Sequence, residues 1–153
     1  MDEIRFATTV RRQRLEVAEG TLDPCMFPGW MPYVKTVKLT AGLPCAPGGT
    51  YEAELRRGWK RWIETIEIID FKRGQSMSAR MGDAIHSFDL VGMDGGILVR
   101  YQCRPAESAK KKRFESLREF ALRRALLRGM RDLKGFIESG EFRKYLQPDV
   151  ELF

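Results

Sequence analysis

The 153-residue chain holds one histidine, His86, and three cysteines, Cys25, Cys45 and Cys103, far apart and with no C-x-x-C pair. So few soft ligands exclude a multi-histidine metal site, a zinc ribbon and a disulfide framework. Carboxylates alone remain for a hard cation, and nothing in the sequence calls for a metal or an organic cofactor. G-x-G-x-x-G, G-x-x-x-x-G-K-[ST] and G-x-S-x-G are all missing, so nucleotide binding and serine-hydrolase chemistry have no motif to stand on. No run approaches the roughly 18 unbroken apolar residues of a membrane helix. Asp2 and Glu3 argue against a signal or transit peptide. A cytoplasmic location is expected.

What is present suits a folded domain. With 43% hydrophobic and 10% aromatic residues, the chain carries enough apolar surface for one core, so residues 1–153 are expected to form one domain. Its 27 Lys+Arg against 21 Asp+Glu leave only +6, too small an imbalance for disorder.

Residues 4 to 10 have a strand-like pattern, and residues 12 to 20 suit a short helix with Leu15, Val17 and Ala18 as its apolar face. Pro24, Pro28, Gly29 and Pro32 then break the chain into short turns carrying Met26, Phe27, Trp30 and Met31. A second strand is predicted over 33 to 40. Further strand runs are separated by Arg57-Gly58, Arg73-Gly74, Gly82-Asp83 and Asp94-Gly95. With each pair as a two-residue hairpin turn, Tyr51 falls opposite Glu64, Ala53 opposite Trp62, Ile68 opposite Ala79 and Ile66 opposite Met81. The same rule sets Ala79 opposite His86, Met77 opposite Phe88, His86 opposite Cys103, Phe88 opposite Tyr101 and Leu90 opposite Val99. One face collects nearly every large apolar residue across four turns, although a one-residue slip at any turn would exchange the faces. Ile63, Ile69, Ile85, Val91 and Leu98 are exceptions on the otherwise polar face. From 110 to about 145 the pattern becomes helical, with Phe114, Leu117, Ala121, Leu122, Ala125, Leu126, Leu133 and Ile137 at spacings of three and four. Gly140 is a candidate break, and Pro148 ends any helix.

This order of elements predicts an α+β protein: a curved antiparallel sheet of about seven strands, two short helices after the first strand, and a long C-terminal helix. The chain resembles the START-like or Bet v 1-like (SRPBCC) superfamily, most closely its polyketide cyclase/dehydrase and lipid-transport branch. The residues that carry the resemblance are Pro28-Gly29-Trp30-Met31-Pro32-Tyr33-Val34, Pro47-Gly48-Gly49-Thr50-Tyr51, Asp94-Gly95-Gly96 and Leu133-Lys134-Gly135-Phe136-Ile137-Glu138. The resemblance implies a helix-grip fold whose sheet wraps round the C-terminal helix and encloses an apolar cavity. It further implies binding of a sterol, lipid, quinone or polyketide there, with cyclisation or dehydration in some members. The superfamily has no universal catalytic residue, so fold does not settle function.

Within that frame His86, placed among apolar residues, is either an acid/base group or a satisfied core histidine. Glu64 and Tyr51 are the other candidates for moving protons, with Glu64 at a wet cavity mouth as the bland alternative. Cys103, facing His86, reads more readily as a small buried thiol than as a nucleophile. Strand geometry puts Glu64 roughly 15 Å from His86, too far for a direct dyad. Trp30, Trp62, Met77, Met81, Phe88, Tyr101 and Cys103 suit a flat hydrophobic ligand, or simply fill a core. The reading is binding of a hydrophobic small molecule, with cyclase/dehydratase chemistry as its enzymatic form and a non-catalytic lipid or quinone carrier as the alternative.

Residues 110 to 134 hold ten Lys/Arg against three acids. Arg113, Arg123, Arg124, Arg131 and Lys134 cluster on one side of the helical wheel with Phe120 and Leu127, a pattern open to an anionic membrane surface or to cover by a second subunit in a homodimer. Arg118 falls on the apolar side, where it could reach a ligand anion or Glu64. Nucleic acid is disfavoured because the aromatics that would stack bases lie on the wrong face.

Overall fold

The computed structural model describes residues 3–106 and 116–145, with side chains described throughout except for residues 116–120. The elements are β1 (Ile4–Val10), α1 (Arg14–Thr21), a 3-10 helix (Pro24–Gly29), β2 (Val34–Ala41), β3 (Thr50–Arg57), β4 (Lys60–Lys72), β5 (Ser76–Met81), β6 (Ala84–Met93), β7 (Gly96–Pro105), α2 (Ser116–Glu138) and a short 3-10 helix (Glu141–Tyr145). The seven strands form one antiparallel sheet in the order β1-β7-β6-β5-β4-β3-β2. This is the expected helix-grip architecture. Among the described residues no helix is long and apolar enough to cross a membrane.

The inner face was legible in the strand alternation, and the pairs Ala79–His86, His86–Cys103, Phe88–Tyr101 and Leu90–Val99 form as expected. The β3–β4 register differs: Tyr51 pairs with Ile66, Ala53 with Glu64 and Leu55 with Trp62. The turn there is Gly58-Trp59 between Arg57 and Lys60, with Gly58 at φ +64° in its first position. A hairpin turn with positive φ only at its first central residue takes glycine there, and this moves the turn one residue along the chain. The resulting two-residue slip keeps every side chain on its expected face while separating Tyr51 from Glu64.

A second irregularity cancels itself. The β4–β5 loop has three residues, Arg73-Gly74-Gln75, because Lys72 pairs with Ser76, and a bulge between Ile68 and Asp70 restores the expected register below it. The bulge turns Phe71 inward opposite Met77 and leaves Ile69 largely exposed.

The predicted helix over 110 to 145 begins outside the described residues. Its described part ends at Glu138, and Gly140, at φ +81°, turns the chain before the last 3-10 helix. At 1.5 Å per residue α2 is about 35 Å long. Leu126, Met130, Leu133, Phe136 and Ile137 form its buried stripe. The helix runs beside β1 in the same direction, since Arg123 donates to the Glu3 carbonyl at 3.4 Å and Lys134 to the Thr9 carbonyl at 2.6 Å. At its far end Arg12 donates to the Glu138 carbonyl and the Arg11 N–H to the Glu138 carboxylate. α1 is shorter than expected and its Leu15 is 67% exposed, so Val17 carries its packing. Asp23 caps the 3-10 helix, accepting the Cys25 N–H at 2.9 Å with Pro24 at the first position.

Glycine sets how closely α2 approaches the 3-10 helix. A Cβ at Gly29 would lie 2.2 Å from Cε1 of the buried Phe136 ring, whereas one at Gly135 would meet nothing within 4 Å. Gly29→Ala is therefore expected to cost about 1–3 kcal/mol by overpacking and to lower Tm by several degrees. Gly135→Ala, on α2 beside Phe136 but facing solvent, should raise stability by about 0.5–1 kcal/mol through helix propensity. Thermal melts of the two variants check this; equal effects would contradict the close packing.

Candidate functional site

The inner face of the sheet is layered along the strands, each layer about 7 Å from the next. Its closed layer is Met77, Phe88 and Tyr101, neighbours across β5, β6 and β7. Onto it the 3-10 helix lowers Phe27, and Trp30 follows directly after. Phe88 sits 5.7 Å from Trp30 edge-on, 6.2 Å from Phe27 and 5.0 Å from Tyr101, centroid to centroid. The Trp30 indole N–H donates to the Gly20 carbonyl at 3.2 Å, so the ring's one polar atom is satisfied. Such pairs contribute about 0.5–1.5 kcal/mol each beyond their burial.

One layer outward lie Ala79, His86 and Cys103, and here the polar groups meet. His86 Nδ1 and the Tyr101 hydroxyl are 2.6 Å apart, and their rings stack at 5.8 Å. The Cys103 thiol shares the same hydroxyl. Burial pushes His86 down to about 4 and holds both the Tyr101 hydroxyl and the Cys103 thiol above their usual values. All three groups are thus neutral at pH 7. With the imidazole proton on Nε2, the Tyr101 hydroxyl donates to Nδ1 and the pair is satisfied without charge.

Beyond this layer come Met81 and Ala84, both partly exposed, and then the rim. The β3–β4 hairpin extends past the Gly82-Asp83 turn, because Met81, the last residue of β5, pairs with Ile66. On the overhang, Glu64 accepts the Trp62 indole N–H at 2.9 Å. The carboxylate lies over Gly82, where a Cβ would come within 2.9 Å of Glu64 Oε1. Trp62 and Glu64 are both half-buried.

The expected site residues therefore divide into three groups. His86, Tyr101, Cys103, Phe88, Met77 and Trp30 are one contiguous body. Trp62, Glu64 and Met81 form the rim; Trp62 lies nine residues along β4 from Phe71, the residue level with Met77, so it does not share a layer with Phe88 and Tyr101. Tyr51 is fully buried on β3, paired with Ile66, and its hydroxyl accepts the Cys45 N–H at 2.9 Å, away from Glu64. The expected Tyr51–Glu64 pair does not exist, for the register reason given above. The Arg118 and Phe120 side chains and all of Arg113 lie outside the described part. Lys134, expected on an outward basic face, is half-buried, with its ammonium on the Thr9 carbonyl and on Glu138 at 2.9 Å.

Two features escaped the sequence reading. Around Tyr51, the Asp23 carboxyl is bonded to the thiols of Cys25 and Cys45, and burial raises all three groups, Cys25 to about 11 and Cys45 to about 12. Cys45 holds φ +52°, a left-handed conformation that costs a non-glycine residue about 1 kcal/mol or more. The Asp-Pro pair at 23–24 signals a cap, but nothing in sequence signals that residue 45 returns to it. The other feature is Trp59, 94% exposed at the tip of the overhanging hairpin; its position beside Gly58 marks a turn residue with no strand partner. A separate groove of about 660 Å³ lies on the outer face of the sheet, where Arg5, Ser78, Ser87, Arg100 and Gln102 make it polar.

Solved structures with this architecture are numerous. Ara h 8.0201 matches 90% of this chain and 97% of its own at 11% identity, with a TM-score of 0.69. The major latex-like protein 151 of Panax ginseng covers 88% and 96% at 13% identity, TM-score 0.65. DynU16, from the dynemicin biosynthetic locus, covers 92% of this chain and 48% of its own at 14% identity, TM-score 0.65. The fold is the Bet v 1-like helix-grip fold. No family model matches the chain, and no curated protein matches its sequence. At these identities the likeness to the Bet v 1-like proteins carries the fold and leaves activity to the residues.

The buried imidazole has a consequence for stability. Its folded value of about 4 lies below the usual 6.5, so the unfolded chain binds the extra proton first, and stability falls as pH drops from about 6.5 to about 4. The loss is on the order of 3 kcal/mol. Urea unfolding at pH 7 and pH 4.5, with the His86 ring resonances followed by NMR, checks this. An imidazole midpoint between 6 and 7 in the folded protein would contradict the buried, neutral assignment.

Proposed function

We propose that the protein binds a hydrophobic small molecule on the inner face of its sheet, at the end where Trp62, Glu64 and Met81 form the rim. The observation that carries this reading is the contrast between the two ends of that face. Phe27, Trp30, Phe88 and Tyr101 consume one another's surface, while at the other end an indole, a thioether and Ala84 stay partly exposed around a carboxylate. Apolar walls with a few directed polar groups are the general form of a small-molecule site. The Bet v 1-like architecture supports the reading at the level of fold.

The ligand best suited is flat and apolar, with a hydroxyl or carbonyl. Its body would lie against Trp62 and Met81, and its polar atom would meet Glu64 at the rim or the His86–Tyr101 pair further in. In the cyclase/dehydratase form of this function Glu64, half-buried at the rim, is the carboxylate placed to take a proton from the ligand. His86, held near 4 by burial, is a weak base there and serves better as a neutral hydrogen-bond donor through Nε2.

Titration with ANS and a panel of polycyclic ketones and phenols tests the site. Binding should be saturable, and Trp62→Ala should weaken it by at least about tenfold through lost apolar contact. Glu64→Gln should preserve binding of purely apolar probes and weaken that of hydroxylated ones. A folded protein that binds none of the panel overturns the proposal.

A further inference from the structure

The outermost point of the rim is an unusual surface. The β3–β4 turn presents Arg56, Arg57, Gly58, Trp59, Lys60 and Arg61 in succession, every one exposed, with the Trp59 indole 94% in solvent. Ile63, on the same hairpin, is 58% exposed. A large aromatic ring in water loses apolar burial and gains nothing for the fold; among the described residues Trp59 stacks on no other ring, and it lies outside the core. The cations around it are only partly answered. Arg61 makes a two-pronged contact with Glu54 at 2.7 and 3.1 Å, and Arg57 lies 5.5 Å from the Tyr33 ring centroid, a neutral partner. Arg56 and Lys60 make no ion pair among the described residues. Among the described residues Glu54 is thus ion-paired with one of these four cations, Arg61, and Glu64 is turned away toward Trp62 and Gly82.

From this geometry we infer that the β3–β4 tip is an anchor for an anionic lipid surface, with Trp59 inserting at the headgroup level and Arg56, Arg57 and Lys60 lying against the phosphates. Tryptophan is the side chain that prefers the membrane–water interface, because its ring is apolar and its N–H can still bond water or headgroups. Cations beside it add attraction to acidic lipid, each worth about a fivefold change in affinity near the surface. The turn suits insertion mechanically: Gly58, at φ +64°, makes it two residues wide, and the hairpin extends past its β5–β6 neighbour, so the tip reaches a plane before the rest of the sheet does. Association of this kind is peripheral and reversible, a single aromatic with a basic patch being a weak anchor. The anchor itself stands apart from the ligand-binding reading. Only its consequence rests on that reading: docking by this tip would bring the rim at Trp62 and Glu64 close to the lipid, so that an apolar ligand need not cross bulk water.

Vesicle flotation tests the anchor without any ligand. The intact protein should float with phosphatidylglycerol-containing vesicles at low salt, should not float with pure phosphatidylcholine, and should release as salt rises, because surface attraction is screened over about 10 Å at 0.1 M. Trp59→Ser should weaken binding at least about tenfold, and Arg57→Glu with Lys60→Glu should abolish it; circular dichroism and the Trp30 and Trp62 emission report that the variants remain folded. On binding, wild-type emission should shift to the blue, and Trp59→Phe should keep the binding while losing the shift. Arg128→Glu with Arg131→Glu, on exposed positions of α2, should leave flotation intact. The proposal is overturned by absence of flotation at low salt, by flotation that survives Trp59→Ser unchanged, by loss through the α2 variants instead, or by binding to a single-stranded oligonucleotide in place of vesicles. Each of these outcomes leaves ANS and polycycle binding as a separate question, so failure of the anchor and failure of the ligand site are told apart.

Discussion

Phe88 is the contact on which the arrangement turns. It lies in β6, inside the sheet, and touches Tyr101 from β7, Phe27 from the 3-10 helix and Trp30 just after that helix. This contact ties the segment between α1 and β2 to the middle of the sheet. That segment in turn receives α2, through Gly29 against Phe136 and Gly129 against Pro32. The chain from sheet to 3-10 helix to C-terminal helix is therefore a sequence of close-packed surfaces, in which a change of one methyl is felt. It also decides where a ligand can and cannot go. Large aromatic rings fill the end of the inner face nearest the short helices, and the apolar surface left partly open lies at the other.

The polar groups follow the same gradient. Deep inside, His86, Tyr101 and Cys103 satisfy one another while uncharged, which is how a buried polar cluster avoids the cost of an unpaired charge. At the rim, Glu64 is half in water and holds the Trp62 indole N–H. A ligand sliding inward would meet first a carboxylate and then a neutral hydrogen-bonding pair, two kinds of recognition separated by roughly 15 Å of apolar wall. Past the rim the character changes again, to cations around one exposed indole.

Strand alternation made much of this legible. Residues of period two on β5, β6 and β7 lead directly to the layers of Met77, Phe88 and Tyr101 and of Ala79, His86 and Cys103, since face assignment tolerates any even slip in register. Contacts between specific residues do not tolerate it. Placing Gly58 second in its turn, rather than first, moved Tyr51 by two residues against β4 and produced a Tyr51–Glu64 pair that the structure lacks. The bulge at Ile69 is invisible to alternation because it and the longer Arg73-Gly74-Gln75 loop offset each other; only the inward turn of Phe71 reveals it. The cluster of Asp23, Cys25 and Cys45 depends on where a loop between β2 and β3 returns, which no periodicity encodes. Trp59 stands in a turn, where alternation assigns no face, so its outward position is set by the hairpin geometry alone.

On the proposed reading, the rim end of the inner face holds a hydrophobic small molecule. Native mass spectrometry of the protein purified from its own cells, without detergent, tests this most directly. The account expects a mass above that of the bare chain, with the difference released into organic solvent as an apolar compound, and expects Trp62→Ala purified in parallel to carry far less of it. A protein that runs at the bare mass under the gentlest conditions, and that takes up none of its own cells' extracted lipids and pigments when they are added back, would contradict it.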